Sequence, residues 1–235
     1  MSLSAQLNQF KSRVAGFLFP PHCLGCGLEG DFLCLTCRRA LLRLLPPLCP
    51  RCGKPLSEED RCYACQGWQP EINGIRSPFL LEGVMRNAIH QFKYSNYSAL
   101  AFPLAELLAE YWETRPIDAE VIVPVPLHSR RLRERGYNQA ALLAQELGKV
   151  IDIPVEEETL IRLKDTPAQV KASNADIRRN NVLGAFNCRN GMLEGKKILL
   201  IDDVCTTGAT LDACASALNR VGAISVWGLT VAREI

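Results

Sequence analysis

The sequence has 235 residues, 48% of them apolar and 22% charged, with a formal net charge of +2. That gives room for one domain of ordinary size and a small companion, and it excludes a polycation that coats nucleic acid through its overall charge. No apolar run approaches the ~20 residues a membrane span needs, and no basic stretch leads into an apolar one near the N-terminus, so neither a span nor export is expected.

At the start of the chain, Leu3, Leu7, Phe10, Val14 and Phe17 recur at helical spacing. This predicts a short amphipathic helix docked on its own protein, with a membrane-surface helix as the alternative.

Eleven cysteines follow, and eight of them form four CxxC pairs before residue 66: Cys23/Cys26, Cys34/Cys37, Cys49/Cys52 and Cys62/Cys65. Without an export signal, this pattern predicts a cytoplasmic metal protein in place of a disulfide framework. Four thiolates suit tetrahedral zinc. Gly27 and Gly53 follow the first and third pairs and let backbone amides turn toward the sulfurs. Joining each such knuckle to the next pair predicts two structural zinc sites, Cys23/Cys26/Cys34/Cys37 and Cys49/Cys52/Cys62/Cys65, with residues 41–45 as a helical spacer. Crossed pairing of the first and third pairs, and dithiol chemistry at one pair, are the alternatives. Arg38, Arg39, Arg43 and Arg51 would lie on this module, available to a nucleic acid or a protein.

Between residues 69 and 74 the composition changes, which divides the chain into residues 1–70 and 71–235. The second part alternates in period. Residues 75–81, 121–125, 197–201 and 224–231 read as strands; residues 84–94, 100–113, 138–150 and 209–221 read as helices, with Pro103 in the first turn of its helix. Such alternation predicts an α/β fold with a mostly parallel sheet and helices on both faces. Two long connections, 127–137 and 164–183, interrupt the pattern, and connections of that length are usually functional.

The most informative run is 197–210, Lys-Ile-Leu-Leu-Ile-Asp-Asp-Val-Cys-Thr-Thr-Gly-Ala-Thr. A buried strand delivers Asp202 and Asp203 to the carboxyl edge of a parallel sheet, where open α/β folds bind ligands. A small, hydroxyl-rich turn with Gly208 then runs into a helix whose N-terminal amides favour a phosphate. Two acids ahead of a phosphate cradle suit a ligand with diol hydroxyls and a phosphate on one sugar. The lysine and spacing of a P-loop are absent. Taken singly, the Thr-Thr-Gly turn reads as a helix cap and Asp-Asp as a solvated strand end; the functional reading rests on the whole run.

This run resembles the phosphoribosyl pyrophosphate motif of type I phosphoribosyltransferases. The wider chain resembles the ComF family, in residues 124–139 (Pro-Val-Pro-Leu-His-Ser-Arg-Arg-Leu-Arg-Glu-Arg-Gly-Tyr-Asn-Gln), in the cysteine pairs of a double zinc ribbon, and in Gln169, Arg178 and Asn181 ahead of Ala185-Phe186. The resemblance implies a type I phosphoribosyltransferase fold that binds phosphoribosyl pyrophosphate with Mg²⁺ and transfers phosphoribose to an acceptor, releasing pyrophosphate. Asp202 and Asp203 would hold the ribose hydroxyls, and Cys205, Thr206, Thr207, Gly208, Ala209 and Thr210 would wrap the 5-phosphate. A general-base role for Asp203 toward an incoming nitrogen is a further implication. Cys205 suits either a small space-filler or an activated thiol. The family link to DNA uptake and natural transformation adds single-stranded DNA and DNA-uptake or recombination proteins as expected partners. It also leaves a non-catalytic accessory protein as the alternative to an enzyme.

Arg130, Arg131, Arg133 and Arg135 oppose one acid, Glu134, in the first long connection. Arginine forks suit phosphate oxygens, and the resemblance places the segment at the pyrophosphate loop; a solvated basic surface or nucleic-acid contact is the alternative. The second connection carries Lys171 and Arg178 where the superfamily has a mobile loop over the reacting centre. No segment reads as a pocket for a particular acceptor.

Overall fold

The apolar runs pair as a parallel sheet because helices cover both of its faces, so each central strand is buried throughout. The computed structural model describes residues 20–57, 61–94, 97–165, 181–189 and 191–235. The sheet is built from β1 (Gly74–Arg76), β2 (Phe79–Leu80), β3 (Val121–Pro124), β6 (Lys197–Cys205) and β7 (Ser225–Arg233). Its order is β1-β7-β6-β3, and β2 also pairs with β7. Every pairing is parallel, with Pro124 opposite Ile201 and Cys205 opposite Arg233.

Alternation sends Ile122, Leu199, Ile201 and Leu229 to one face, against α2 (Gly83–Tyr94), α3 (Ala101–Thr114) and α5 (Gln139–Ile151). Val121, Val123, Ile198, Leu200 and Val226 go to the other, against α6 (Ala209–Asn219) and the second cysteine cluster. Leu199 to Ile201 are all 0% exposed, as expected of a strand with partners on both edges and helices on both faces. Pro103 lies at the third position of α3, where its missing N–H is not needed.

Several boundaries differ from the sequence reading. The strand expected over 75–81 breaks at Ser77-Pro78 into β1 and β2, since proline has no N–H for the ladder and Ser77 instead bonds Thr230 at 2.7 Å. Residues 41–45 are not a helical spacer. Leu44 N donates to Pro78 O and Leu80 N to Leu42 O, so the segment runs extended beside β2 and buries Leu41 and Leu44; the helix here is α1 (Leu35–Arg39). The connection 127–137 holds a helix, α4 (Ser129–Arg135), started by His128 Nδ1 accepting from Arg130 N and ended by Gly136 at φ 84°. Its periodicity was illegible because Leu132 is its one apolar residue and is itself exposed. β6 extends four residues beyond Ile201, so the diacid sits within the strand. A separate antiparallel hairpin, β4 (Leu160–Arg162) with β5 (Phe186–Cys188), flanks the second long connection. The helix expected over residues 3–17 lies outside the described residues.

Candidate functional site

The cysteine module resolves into two clusters. Cys23, Cys26, Cys34 and Cys37 bring their sulfurs within 4.8 Å of one another, and so do Cys49, Cys52, Cys62 and Cys65. The crossed pairing is therefore overturned. Gly27 and Gly53 adopt φ 76° and 72°, and their amides close turns onto the carbonyls of Cys23 and Cys49. Sulfur separations of 3.6 Å for Cys26–Cys34, 3.7 Å for Cys49–Cys65 and 3.5 Å for Cys52–Cys62 fit the ~3.8 Å edge of a tetrahedron with zinc–sulfur bonds of ~2.3 Å. The donor set and its geometry fit zinc at both clusters, where the metal would supply structural cross-linking.

The two ribbons dock differently. The first sits on α2 and α3 through Arg38–Glu106 and the Asn87 side chain, which donates to Leu24 O at 2.9 Å. The second packs beneath the turn that leaves β6. Trp68, just past its last cysteine, donates to Asp212 Oδ2 at 3.3 Å, and the Glu71 and Ile72 amides donate to Asp212 Oδ1. Asp212 stands in the first turn of α6.

That turn carries Thr206, Thr207 and Gly208. Gly208 is left-handed at φ 85°, and a Cβ there would lie 2.8 Å from Ile75 Cδ1 and 3.2 Å from the Trp68 ring. Glycine is needed for both reasons. Thr207 Oγ1 accepts from Ala209 N at 3.3 Å, and the N-terminus of α6 follows directly. Gly208→Ala is expected to destabilise the fold by about 1–3 kcal/mol, measured by denaturant unfolding, since both conformation and contact oppose it.

Cys205 is buried behind this turn and accepts a 3.0 Å hydrogen bond from Arg233 Nη1. Burial pushes its thiol up, against the lowering effect of Arg233, which favours the space-filler over the activated thiol. Arg233 is 1% exposed, and its Nε and Nη2 have no partner among the described residues.

Asp203 is buried and pairs with Lys93 Nζ at 2.8 Å. Burial, then the Asp203 charge, raise Asp202 to about 7, while Lys93 and Arg162 pull it back. Burial opposes the charge on Lys93, but Asp203 outweighs it and the lysine is raised. The folded chain thus keeps a proton on Asp202 where the unfolded chain has lost it. Stability should fall as pH rises from about 4 to about 7, then level off. Asp202→Asn removes this penalty. The variant should melt above the parent at about pH 8 and together with it near pH 4, as read by calorimetry.

Because Pro124 pairs with Ile201, the chain after β3 emerges beside the diacid and enters α4. Arg131, Arg133 and Arg135 line a cavity of about 620 Å³ with Lys93, Tyr94, Glu134 and Gly136. Arg130 does not line it; it pairs with Glu134 at 3.0 Å and with Asp165 at 3.5 Å. Arg131 also reaches Asp165. Lys171 and Arg178, together with Gln169, lie outside the described residues. Sequence reasoning missed Lys93, Trp68 and Arg233, each of which reaches its partner across the fold; no local pattern distinguishes them from ordinary surface or core residues.

A double zinc ribbon domain model matches residues 14–66, and a phosphoribosyl transferase domain model matches residues 97–233. The chain is thus a phosphoribosyltransferase-domain protein with a double zinc ribbon ahead of that domain. Competence protein ComFC of Bacillus subtilis (strain 168) is 32% identical over 98% of this chain and 92% of its own length. Competence protein F of Haemophilus influenzae is 33% identical, covering 88% of this chain and 94% of that protein. DNA utilization protein YhgH of Escherichia coli (strain K12) is 33% identical, covering 84% and 89%. The chain belongs to this ComFC/YhgH family. No described helix is long and apolar enough to cross a membrane.

Proposed function

We propose that the protein binds phosphoribosyl pyrophosphate with Mg²⁺ and transfers phosphoribose to an acceptor nucleophile, releasing pyrophosphate. The observation that carries this reading is Lys93, which bonds Asp203 and also lines the arginine cavity, so that the diacid and the basic helix form one site. The 5-phosphate would meet the amides and hydroxyls of Thr206, Thr207, Gly208, Ala209 and Thr210. The ribose hydroxyls would donate to Asp202 and Asp203, and the diphosphate would lie against Arg131, Arg133 and Arg135.

The carboxylate oxygens suit a hard cation, and Mg²⁺ carried on the phosphates would neutralise charge there. The bond between the anomeric carbon and the pyrophosphate oxygen breaks and its electron pair leaves with pyrophosphate. The acceptor's lone pair then forms the new bond and the acceptor loses a proton. Arginine charges favour the leaving group as its own charge develops. Affinity should rise with pH through about 7, because an ionised Asp202 is the stronger acceptor for ribose hydroxyls.

Incubation with Mg²⁺, phosphoribosyl pyrophosphate and an acceptor panel tests the reaction. Pyrophosphate release above the acceptor-free rate is expected, and binding without release would favour a non-catalytic accessory protein. A DNA contact at this surface has its own support: Tyr94, at the end of α2, is 65% exposed, with the Arg135 guanidinium of α4 5.4 Å from its ring, an aromatic beside a cation that suits base stacking. Changing Arg130, Arg131, Arg133 and Arg135 to alanine should weaken phosphoribosyl pyrophosphate binding. If the helix serves DNA instead, the salt slope of single-stranded DNA binding should fall by about one per lost phosphate contact while the sugar ligand is unaffected.

A further inference from the structure

We infer that Lys93 touches the ligand directly, donating to its anomeric diphosphate from the ion pair with Asp203, and that Tyr137 and Gln139 are positioning residues that hold Lys93 there. This rests on the function proposed above and adds a residue outside the phosphate turn and the basic helix.

Lys93 lies in the last turn of α2, whose final carbonyls have no partner within the helix. The carbonyl of Phe92 is held by two donors from beyond α4, the Tyr137 hydroxyl and the Gln139 Nε2, the latter at 3.4 Å. Gln139 is itself fixed by Arg135, which donates to its Oε1, and Arg135 lies over the Tyr94 ring. Phe92 is fully buried and its ring lies 6.0 Å from that of Tyr137, so this turn is anchored from the core side as well. Asn138 completes the run by capping α5 through Ala140 N and by donating to Val125 O. The Gly136-Tyr137-Asn138-Gln139 segment therefore does structural work: it clasps the end of α2 to the start of α5 and fixes where the ammonium stands.

An ammonium has three donors, and the bond to Asp203 uses one. The Lys93 side chain retains 24% exposure, and what it faces is the cavity shared with Arg131, Arg133 and Arg135. A lysine meant only to neutralise Asp203 would not need to open onto three arginines, whose charges it repels. An anion in the cavity removes that repulsion, and the acidic strand end and the basic cavity then suit, respectively, the sugar hydroxyls and the diphosphate of the ligand.

Two ligands separate this inference from the reading beneath it. Ribose 5-phosphate has the sugar and 5-phosphate but no diphosphate. Calorimetry on the full zinc-loaded chain should give Lys93→Met at least about tenfold weaker binding of Mg²⁺–phosphoribosyl pyrophosphate, with ribose 5-phosphate changed by less than about threefold. Lys93→Arg should fall between parent and Lys93→Met, because a fork replaces a point charge. Tyr137→Phe should shift the diphosphate ligand alone, in the same direction and by less. Equal losses for both ligands in Lys93→Met would reduce the lysine to a support for Asp203 and overturn the inference, as would no loss. If the unaltered protein binds neither ligand, the site reading fails first. A check that needs no variant is the rate of reductive methylation of Lys93, read by mass spectrometry. Inorganic pyrophosphate should slow it and ribose 5-phosphate should not; no protection by pyrophosphate would also overturn the contact.

Discussion

Changing Asp202 and Asp203 together to asparagine is expected to weaken binding of phosphoribosyl pyrophosphate by about 2 kcal/mol or more, about thirtyfold, because two charge-assisted acceptors for the ribose hydroxyls are lost at once. Asparagine keeps the size of the side chains; the change at Asp202 removes a penalised buried acid, whereas the change at Asp203 removes a buried ion-pair partner, so affinity is compared in a variant that calorimetric melting shows to be folded. Lys93 would lose its partner, so the two ligands tested above should both weaken in this variant, unlike in Lys93→Met. Calorimetry showing unchanged affinity in the folded double variant would remove the diacid from the site.

Loss of metal from the second cysteine cluster is expected to be the most damaging single change to both stability and ligand binding. Cys49 and Cys52 belong to the same buried cluster as Trp68, Ile75, Cys205 and Ala209, so the ribbon is part of the floor under the phosphate turn. Cys52→Ser should release zinc from that cluster, withdraw Trp68 from Gly208 and from Asp212, and take the turn out of register. The Arg233 side chain adds to this: its charge acts on both Cys52 and Cys205, opposing the upward push of burial on each thiol. The first cluster provides the comparison. Cys26 is exposed, and its ribbon rests on α2 and α3, so Cys26→Ser should cost one zinc and leave ligand affinity within a few-fold of the parent. Metal analysis alongside calorimetry reads both. Equal loss of affinity in the two variants would show that the second ribbon has no special relation to the turn.

These two expectations draw on different kinds of information. The run from Lys197 to Thr210 could be read along the chain because its parts are adjacent: an apolar strand, two acids, a hydroxyl-rich turn and a helix start are consecutive in sequence and act together in space. The cysteine pairs were legible for the same reason, since a knuckle needs two thiols and a glycine within five residues, and each ribbon closes with the next pair along. α4 was not legible, because helix periodicity is read from apolar residues and Ser129–Arg135 has almost none; local capping by His128 and Gly136 determines it instead.

The sequence by itself determined the parallel α/β core, the hydroxyl-rich turn after the diacid and the two groups of four cysteines, because those features depend on short-range pattern and on side-chain chemistry that does not change with context. Only the tertiary structure decided that Lys93, 110 positions before Asp203, is its counter-ion. It also decided that Tyr137 and Gln139 grip Phe92, that Arg130 is spent on Glu134 and Asp165 while its neighbours face a cavity, and that Trp68 supports Gly208. The physical reason is that an ion pair or a hydrogen bond takes effect over a few ångströms of space, whatever the separation along the chain. Burial then fixes its strength, and neither the distance nor the burial is written in residue type.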